Sequence, residues 1–305
     1  MFYEEKSKLP LRLIDTHIHG SFGINFNNSD YDGIKFVLSE LFKRNVYGIC
    51  PTLVGDSADN IQKQLSIFKK IKDEQLKDIK SEALILGVHL EGTFLSPNKA
   101  GIQDKNVFKK PTVENFKKLV GDFEQMIKIV TIAPEENKDL IEYLIENNIK
   151  AQAGHSLAKN LGKCCCATHI FNAMNQIHHR EDSLALEALV RDDIYCEIIS
   201  DLIHVSENML KLFFKAKPKD KVLLISDSLP SSNFDKDIIF CNKKINKEGK
   251  DEFGTLAGSN YTLDVICKNL LEKNILTQED ITQMGFKNQI NYLNLLKTEV
   301  DILNR

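Results

Sequence analysis

Two histidines separated by one residue stand near the start of the chain, in the sequence LIDTHIHG at positions 13–20. Side chains two apart on a strand point to the same face, so His17 and His19 can share one ligand. Imidazole nitrogen is a favoured donor for Zn²⁺, Fe²⁺ and similar ions. The pair therefore predicts a metal site, with a polar cavity that holds no ion as the alternative interpretation.

Most of the eight histidines share one placement, because they lie at the carboxyl end of an apolar run. The six that do so are His17, His19, His89, His155, His169 and His204. Four acids at or near the ends of such runs follow the same rule: Asp15, Glu91, Asp201 and Asp227. A lone histidine at a strand end is usually a packed core residue, whereas six from five runs indicate one convergent metal or acid–base site.

Eight short apolar runs rich in Val and Ile carry these residues. We predict strands at 11–20, 46–54, 83–92, 127–135, 149–156, 164–174, 195–205 and 221–229. Near-continuous apolar strands are typical of a parallel sheet covered on both faces, and amphipathic segments such as 112–123 and 136–148 separate several of them. Eight such units predict an α/β fold of the (β/α)8 TIM-barrel type, with a doubly wound open sheet as the alternative.

We expect one domain over residues 1–305, with barrel strands in 11–229 and a loop and outer helices in 230–305. The segment 231–260 is polar, contains three glycines and has weak periodicity. It follows the eighth predicted strand, and loops in that position lie over the catalytic face of a barrel. Residues 260–302 have a helical pattern and are expected to pack on the outside.

The composition excludes several classes of partner. Lys and Arg total 40 while Asp and Glu total 43, so the net charge is −3 and a nucleic-acid surface is not expected. No apolar run approaches the roughly 18 residues that a membrane span needs. Seven cysteines without CxxC spacing are typical of a reduced protein, so we expect a cytoplasmic location.

Eight segments carry a resemblance to a known family. They are LIDTHIHG, GVHLEGTFLSP, TIAPE, AGHSLA, THIFNAM, IISDLIHV, ISDS and LAGS, in that order. In this order they resemble N-acetylglucosamine-6-phosphate deacetylases of the amidohydrolase superfamily, and the match runs from about residue 13 to 262. HLEG together with THxFNAM is specific to that family, whereas HxH is shared by the whole superfamily.

The resemblance implies a metal-dependent hydrolase that removes acetate from a phosphorylated amino sugar. In that family the tighter ion is held by residues that match Glu91, His155 and His169, and a second ion in some members uses the HxH pair, here His17 and His19. The implied metal is Zn²⁺, with Fe, Mn, Co or Ni as alternatives. The acid of the eighth strand, here Asp227, is the general acid and base, while an acid that caps the following turn is the alternative interpretation.

The same resemblance implies the substrate contacts and the oligomer. Sugar and phosphate contacts match Asn172, Ala173, Arg180 and His204. In the family the phosphate contacts can come from a neighbouring subunit, which implies a homodimer.

Three departures from the family pattern bear on the substrate. Gln103 stands where members carry a histidine that polarises the scissile carbonyl. Its amide can still donate a hydrogen bond to the substrate carbonyl but carries no charge, and loss of one strong transition-state donor lowers rates by about 10² to 10³. HHREDS at 178–183 replaces the usual HREPG, although Arg180 is kept. Relatives also carry a small β-sandwich, and with only 12 residues before the first strand we expect a barrel without it.

Other functions remain open at this point. A deacetylase or related amidohydrolase for a different modified amino sugar fits the Gln103 substitution, and so does a non-catalytic relative that keeps its metal and binds a sugar. A metal-free glycosidase that uses Glu91 and Asp227 is a further alternative, but it leaves six histidines without a role.

Overall fold

The computed structural model describes residues 11–79 and 81–305, and a ring of eight parallel strands in chain order forms its centre. The strands are β1 (Leu13–Ile18), β2 (Val46–Leu53), β3 (Val88–Phe94), β4 (Ile127–Ile132), β5 (Lys150–Ala153), β6 (Cys166–Ala167), β7 (Tyr195–Ile199) and β8 (Val222–Ile225). Asp227 N donates to His17 O and His19 N donates to Ser228 O, both at 2.9 Å, so β8 joins β1. The predicted TIM barrel is confirmed, and the open sheet is wrong.

Helices cover the outside of the ring and alternate with most strands. They are α1 (Tyr31–Lys43), α2 (Ala58–Gln75), α3 (Val113–Val120), α4 (Leu140–Glu146), α5 (Leu184–Val190), α6 (Glu207–Ala216), α7 (Leu263–Glu272), α8 (Gln278–Thr282), α9 (Asn288–Leu293) and α10 (Lys297–Leu303). Five of the helices that follow a barrel strand begin at a side chain that accepts a backbone N–H of the first turn, namely Asp30, Ser57, Thr112, Ser183 and Ser206. These caps fix where each helix starts after its strand.

One of the predicted units lacks its helix, because residues 154–165 between β5 and β6 form turns. Glu135, just after β4, holds the start of this loop. Its carboxylate accepts from Ser156 Oγ at 2.5 Å and from Leu157 N at 2.6 Å. The loop that replaces this helix includes His155. Its attachment to Glu135 therefore fixes the backbone conformation around His155 at the carboxyl end of the barrel.

The loop after β8 lies over the carboxyl end of the barrel, which we call the mouth. It contains an antiparallel hairpin of Ile238–Phe240 and Lys243–Ile245. The ring of Phe240 contacts the ring of His19, with 5.4 Å between their centroids. The polar, glycine-containing segment that follows the last strand therefore forms part of the wall of the mouth.

The last two helices close the opposite end of the barrel, where the sequence pattern had suggested only an outer layer. Tyr292, Leu293 and Leu303 pack in one buried cluster with the barrel residues Ile14 and Cys50. Among the helices of the described residues, none is both long and apolar enough to cross a bilayer.

A buried lysine, Lys217, follows α6 and is 2% exposed. Its ammonium donates to Ala188 O at 2.8 Å and to Arg191 O at 2.5 Å, at the carboxyl end of α5. Terminal carbonyls of a helix lack intrahelical partners and carry the negative end of its dipole, so a cation there stabilises the helix. Lys217 thereby fixes α5 against α6.

We expect the substitution Lys217→Met to lower the free energy of unfolding by about 1–3 kcal/mol, because two buried carbonyls lose their donor. Urea denaturation followed by circular dichroism measures the change. The control is Lys215→Met at the exposed end of α6, which is expected to change stability by less than about 0.5 kcal/mol. Equal stabilities of the two variants would show that the ammonium is not a cap.

Candidate active site

Four polar side chains lie at the mouth because they share one position relative to the ends of their strands. Each is the second residue past the end of its strand, on β5, β6, β7 and β8 in turn: His155, His169, Asp201 and Asp227. His17 and Glu91 reach the same region from within β1 and β3. Because parallel strands of a barrel end on one face, residues separated by up to about two hundred positions meet there.

Three donor atoms form the first cluster, around one oxygen of Glu91. Glu91 Oε1 lies 2.9 Å from His169 Nε2 and 3.2 Å from His155 Nε2, and the two nitrogens are 3.1 Å apart. A tetrahedral ion with bonds of about 2.0–2.1 Å holds its ligands about 3.3 Å apart. The cluster thus has the size of a metal site.

The other oxygen of Glu91 belongs to a second cluster. Glu91 Oε2 lies 3.3 Å from His19 Nε2 and 3.6 Å from His17 Nε2. Asp227 Oδ1 lies 3.2 Å and 3.4 Å from the same two nitrogens. One carboxylate therefore connects two sets of donors, and Asp227 stands beside the second set.

Charge in this region is strongly coupled. Burial raises the pKa of Glu91, but His17 and His155 outweigh it and hold that pKa well below its usual range. Burial likewise raises the pKa of Asp227, and the imidazoles of His17 and His19 lower it to below the usual value. Burial lowers the pKa of His17, yet Glu91 and Asp227 raise it well above the ordinary value. The site therefore favours positive charge among buried carboxylates.

Among the buried atoms of the site that have no hydrogen-bond partner in the described residues, two face each other at its centre, namely His17 Nε2 and Asp227 Oδ1. Glu91 Oε2 faces them as well. Three groups of donors within 4.8 Å of one another occur in the described structure, and two of them contain Glu91, namely His17, His19 and Glu91 and Glu91, His155 and His169. Imidazole and carboxylate donors fit a divalent transition-metal ion, which would satisfy both unpartnered atoms.

The ring of His155 is oriented by a backbone carbonyl. Its Nδ1 lies 2.8 Å from Lys99 O. Because a carbonyl only accepts, Nδ1 must carry a proton, and Nε2 is the nitrogen that faces Glu91 and would bind an ion. A histidine that donates its other N–H to a carbonyl is the usual arrangement at metal sites.

Backbone strain is concentrated at the same residues. His155, His169 and Asp227 have φ angles of 47°, 29° and 52°, in the left-handed region that side chains other than glycine rarely adopt. Hydrogen bonds from Ser96 N to His155 O (3.0 Å) and from Ser259 N to Asp227 O (2.8 Å) hold two of these conformations. Strain of this kind is a frequent mark of functional sites.

A cavity of about 400 Å³ opens beside both clusters. Four of the five predicted substrate residues line it, namely Gln103, Asn172, Ala173 and His204. The fifth, Arg180, is exposed on the loop after β6 and lies outside the lining. His204 Nδ1 is bound to Asp201 Oδ2 at 2.8 Å, and the Ser259 hydroxyl donates to the same oxygen at 2.9 Å.

Gln103 is tied to the acid at the centre of the site. Its Nε2 donates to Glu91 Oε2 at 3.2 Å, whereas its Oε1 is buried without a partner among the described residues. The amide was expected to offer a hydrogen bond to the substrate carbonyl. In this conformation one of its two N–H groups is already used to support Glu91.

Two buried residues lie below the mouth, and only one of them, His89, was considered from the sequence, as a possible support for the ligands. His89 was grouped with the strand-end histidines, but its ring nitrogens are bound to Thr16 O at 3.2 Å and to Thr131 Oγ1 at 2.8 Å. Burial, reinforced by His17, lowers its pKa well below the usual value, so it is a neutral support. Glu197 was missed, and its only signal was an acid inside the apolar run YCEII of β7.

Comparison with known proteins places this geometry in a family, although no protein-family model matches the chain. The chain is 31% identical over 296 residues to the N-acetylglucosamine-6-phosphate deacetylase of Bacillus subtilis, covering 93% of this chain and 74% of that protein. It is 24% identical over 285 residues to the N-acetylgalactosamine-6-phosphate deacetylase of Escherichia coli O157:H7, with coverages of 89% and 74%. The crystal structure of N-acetylglucosamine-6-phosphate deacetylase from Thermotoga maritima superimposes with a TM-score of 0.81 at 27% identity, over 93% of this chain and 78% of that one. Together with the barrel, these similarities show that the chain belongs to the N-acetylglucosamine-6-phosphate deacetylase family.

Proposed function

We propose that the chain hydrolyses the acetamido group of a phosphorylated amino sugar, converting N-acetylglucosamine 6-phosphate to glucosamine 6-phosphate and acetate. Family membership supports this reaction. The observation that carries it is the division of Glu91 between two pairs of imidazoles, with Asp227 beside the second pair and a cavity adjacent to both.

The proposed cofactor is a divalent ion held by Glu91, His155 and His169, with a second ion at His17 and His19. Zn²⁺ is the first candidate, and Fe, Mn, Co and Ni share the preference for these donors. When bound, such an ion supplies a positive charge that lowers the pKa of a coordinated water and polarises a carbonyl. The donor separations of 2.9 to 3.6 Å support a small ion of this type.

Asp227 moves the proton in this proposal. Its pKa lies below the usual value, so the carboxylate is ionised and can accept the proton of the attacking water. The water oxygen bonds to the acetyl carbon as the C–N bond breaks. The proton held on Asp227 passes to the departing nitrogen, which leaves as the amine while acetate is released.

His204 is the proposed contact for an anionic or hydroxyl group of the substrate. Burial lowers the pKa of the ring, but Asp201 outweighs it and raises that pKa above the usual value. A cationic imidazole at the cavity wall suits phosphate. Arg180 is exposed, and we infer that Arg180 of the partner subunit in a homodimer completes the phosphate contact.

A reducing compartment is the proposed location. The seven cysteines are free in the described part of the chain, and five of them are buried. Free buried thiols are typical of proteins kept in the cytoplasm, where disulfides are rare.

A second candidate substrate is a larger amino sugar, and one observation favours it; the similarity to an N-acetylgalactosamine-6-phosphate deacetylase adds the galactosamine epimer to the candidates. A second cavity of about 550 Å³ adjoins the first and shares His204, Leu256 and Gly258 with it. Phe234 and Tyr261 line this second cavity and offer aromatic surface to a ring. A substituent on the amino sugar could therefore extend into it.

Acetate release from N-acetylglucosamine 6-phosphate tests the main proposal. We expect turnover by the Zn²⁺-loaded protein, loss of activity after chelation, and recovery when Zn²⁺ is restored. Without the phosphate, kcat/KM is expected to fall at least about 10- to 100-fold, the effect of losing one charge-assisted contact, because both proposed contacts of the phosphate are lost. Binding of the phosphorylated sugar without acetate release, in a protein that holds metal, would instead support the non-catalytic relative.

The substitution Asp227→Asn is expected to lower kcat by about 10²- to 10⁴-fold, because proton transfer loses its carrier. Metal analysis should still find the ion of Glu91, His155 and His169. Asp251→Asn is the matched control, since Asp251 is a buried acid of the covering loop that accepts from Phe253 N and Thr255 N. Full activity of the Asp227 variant would contradict the proton-transfer role.

A substrate panel separates the two candidates. If the second cavity binds a substituent, an N-acetylated disaccharide phosphate will have a higher kcat/KM than the monosaccharide phosphate. Tyr261→Ala should then lower kcat/KM for the disaccharide and leave the monosaccharide unchanged. Equal losses for both substrates, or no turnover of the disaccharide, would exclude the extended substrate. N-acetylgalactosamine 6-phosphate in the same panel tests the epimer.

A further inference from the structure

Glu197 lies directly beneath the second donor cluster and is fully buried within β7. Its Oε2 is 3.1 Å from His17 Nδ1, and the ring of His17 is fully buried as well. Its other oxygen, Oε1, accepts from Gln152 Nε2 at 3.0 Å. Both carboxylate oxygens therefore have a defined partner.

This contact fixes which nitrogen of His17 carries a proton. A carboxylate only accepts hydrogen bonds, so Nδ1 must be the donor. Nε2 is then the nitrogen left to bind an ion, because it faces Glu91 Oε2 and Asp227 Oδ1 at 3.6 Å and 3.4 Å, and the ion would take the place of its proton. Nε2 is the atom that has no hydrogen-bond partner in the described structure.

The carboxylate of Glu197 is itself held by a buried network. Gln152 Nε2 also contacts the Tyr292 hydroxyl at 3.2 Å, and Gln152 Oε1 accepts from Thr168 Oγ1 at 2.9 Å. Because Tyr292 belongs to α9, the helix that closes the bottom of the barrel helps to orient the acid below the mouth.

A third group of potential ligands, His17, His89 and Glu197, has the spacing of a metal site, but its hydrogen bonds argue against one. Both ring nitrogens of His89 already have partners, Thr16 O and Thr131 Oγ1. His17 Nδ1 is used by Glu197. Because these hydrogen bonds occupy the nitrogens, His89 and Glu197 orient the candidate ligands above them and do not bind an ion themselves.

We propose that Glu197 is a positioning residue that holds His17 in the tautomer protonated on Nδ1 and thereby enables the His17 and His19 pair to bind an ion beside Glu91. The proposal rests on the proposed function in one respect, which is that a metal ion binds to His17 and His19. Loss of a partner behind a metal-bound histidine typically weakens metal binding by about 10- to 100-fold.

Zn²⁺ titration of the metal-free protein, followed by calorimetry and by metal content after dialysis, tests the proposal. We expect two Zn²⁺ per chain for the unmodified protein. Glu197→Met should weaken only the second Zn²⁺, by about 10- to 100-fold. Glu197→Gln keeps an acceptor for Nδ1–H, so it should recover most of that affinity. Gln289→Met is the matched control, because it removes another fully buried polar side chain, which is bonded to Thr16 Oγ1 and Leu224 O and has no hydrogen bond to His17 in the described structure.

One Zn²⁺ in the unmodified protein, or two equally tight ions in a folded Glu197→Met variant, would overturn the proposal. If that variant does not fold, NMR of ¹⁵N-labelled histidine rings in the unmodified Zn²⁺-loaded protein tests the proposal instead, because it shows which nitrogen of His17 carries the proton. His17 protonated on Nδ1 is the expected result, and a proton on Nε2 would refute the proposal. Acetate release is scored separately, so a failure of the positioning role and a failure of the deacetylase function are distinguishable.

Discussion

A buried carboxylate among imidazoles is the constraint on which this structure depends. Glu91 is 3% exposed, and its oxygens face four histidine rings. Removing an ionised carboxylate from water costs several kcal/mol, and only positive charge or strong donors nearby offset that cost. Asp227 and Glu197 add two more acids to the same region. The arrangement is therefore stable only with cationic charge among these groups, which is the requirement that a bound metal ion meets.

The fold meets this requirement by bringing distant segments to one place. The candidate ligands His155 and His169 lie two residues beyond the ends of β5 and β6. Left-handed backbone at both residues directs their rings toward Glu91. The loop between β5 and β6 is held by Glu135 and replaces a helix, so the chain can adopt this turn. Below the mouth, polar side chains fill the barrel where aliphatic packing is the more frequent solution. This polar filling orients the ligands from behind.

Much of the fold and of the candidate site was predictable, because the sequence patterns that indicate them are local and repeated along the chain. Eight apolar runs predict the barrel, and the positions of Glu91, His155 and His169 at or near the ends of these runs predict that they meet. Contacts that depend on packing were not predictable. Glu197 is one acid in an apolar strand, and only the fold reveals that it faces His17. The missing helix after β5 and the closure of the bottom by α9 and α10 likewise depend on tertiary contacts that leave no periodic pattern.

The central claim is that Glu91 and its imidazoles hold a metal ion at the mouth. Anomalous diffraction from crystals of the Zn²⁺-loaded protein, recorded on both sides of the zinc absorption edge, tests it most directly. The account predicts a zinc peak about 2.0–2.2 Å from Glu91 Oε1, His155 Nε2 and His169 Nε2. Zinc bound elsewhere, with these three atoms in contact only with one another, would contradict it.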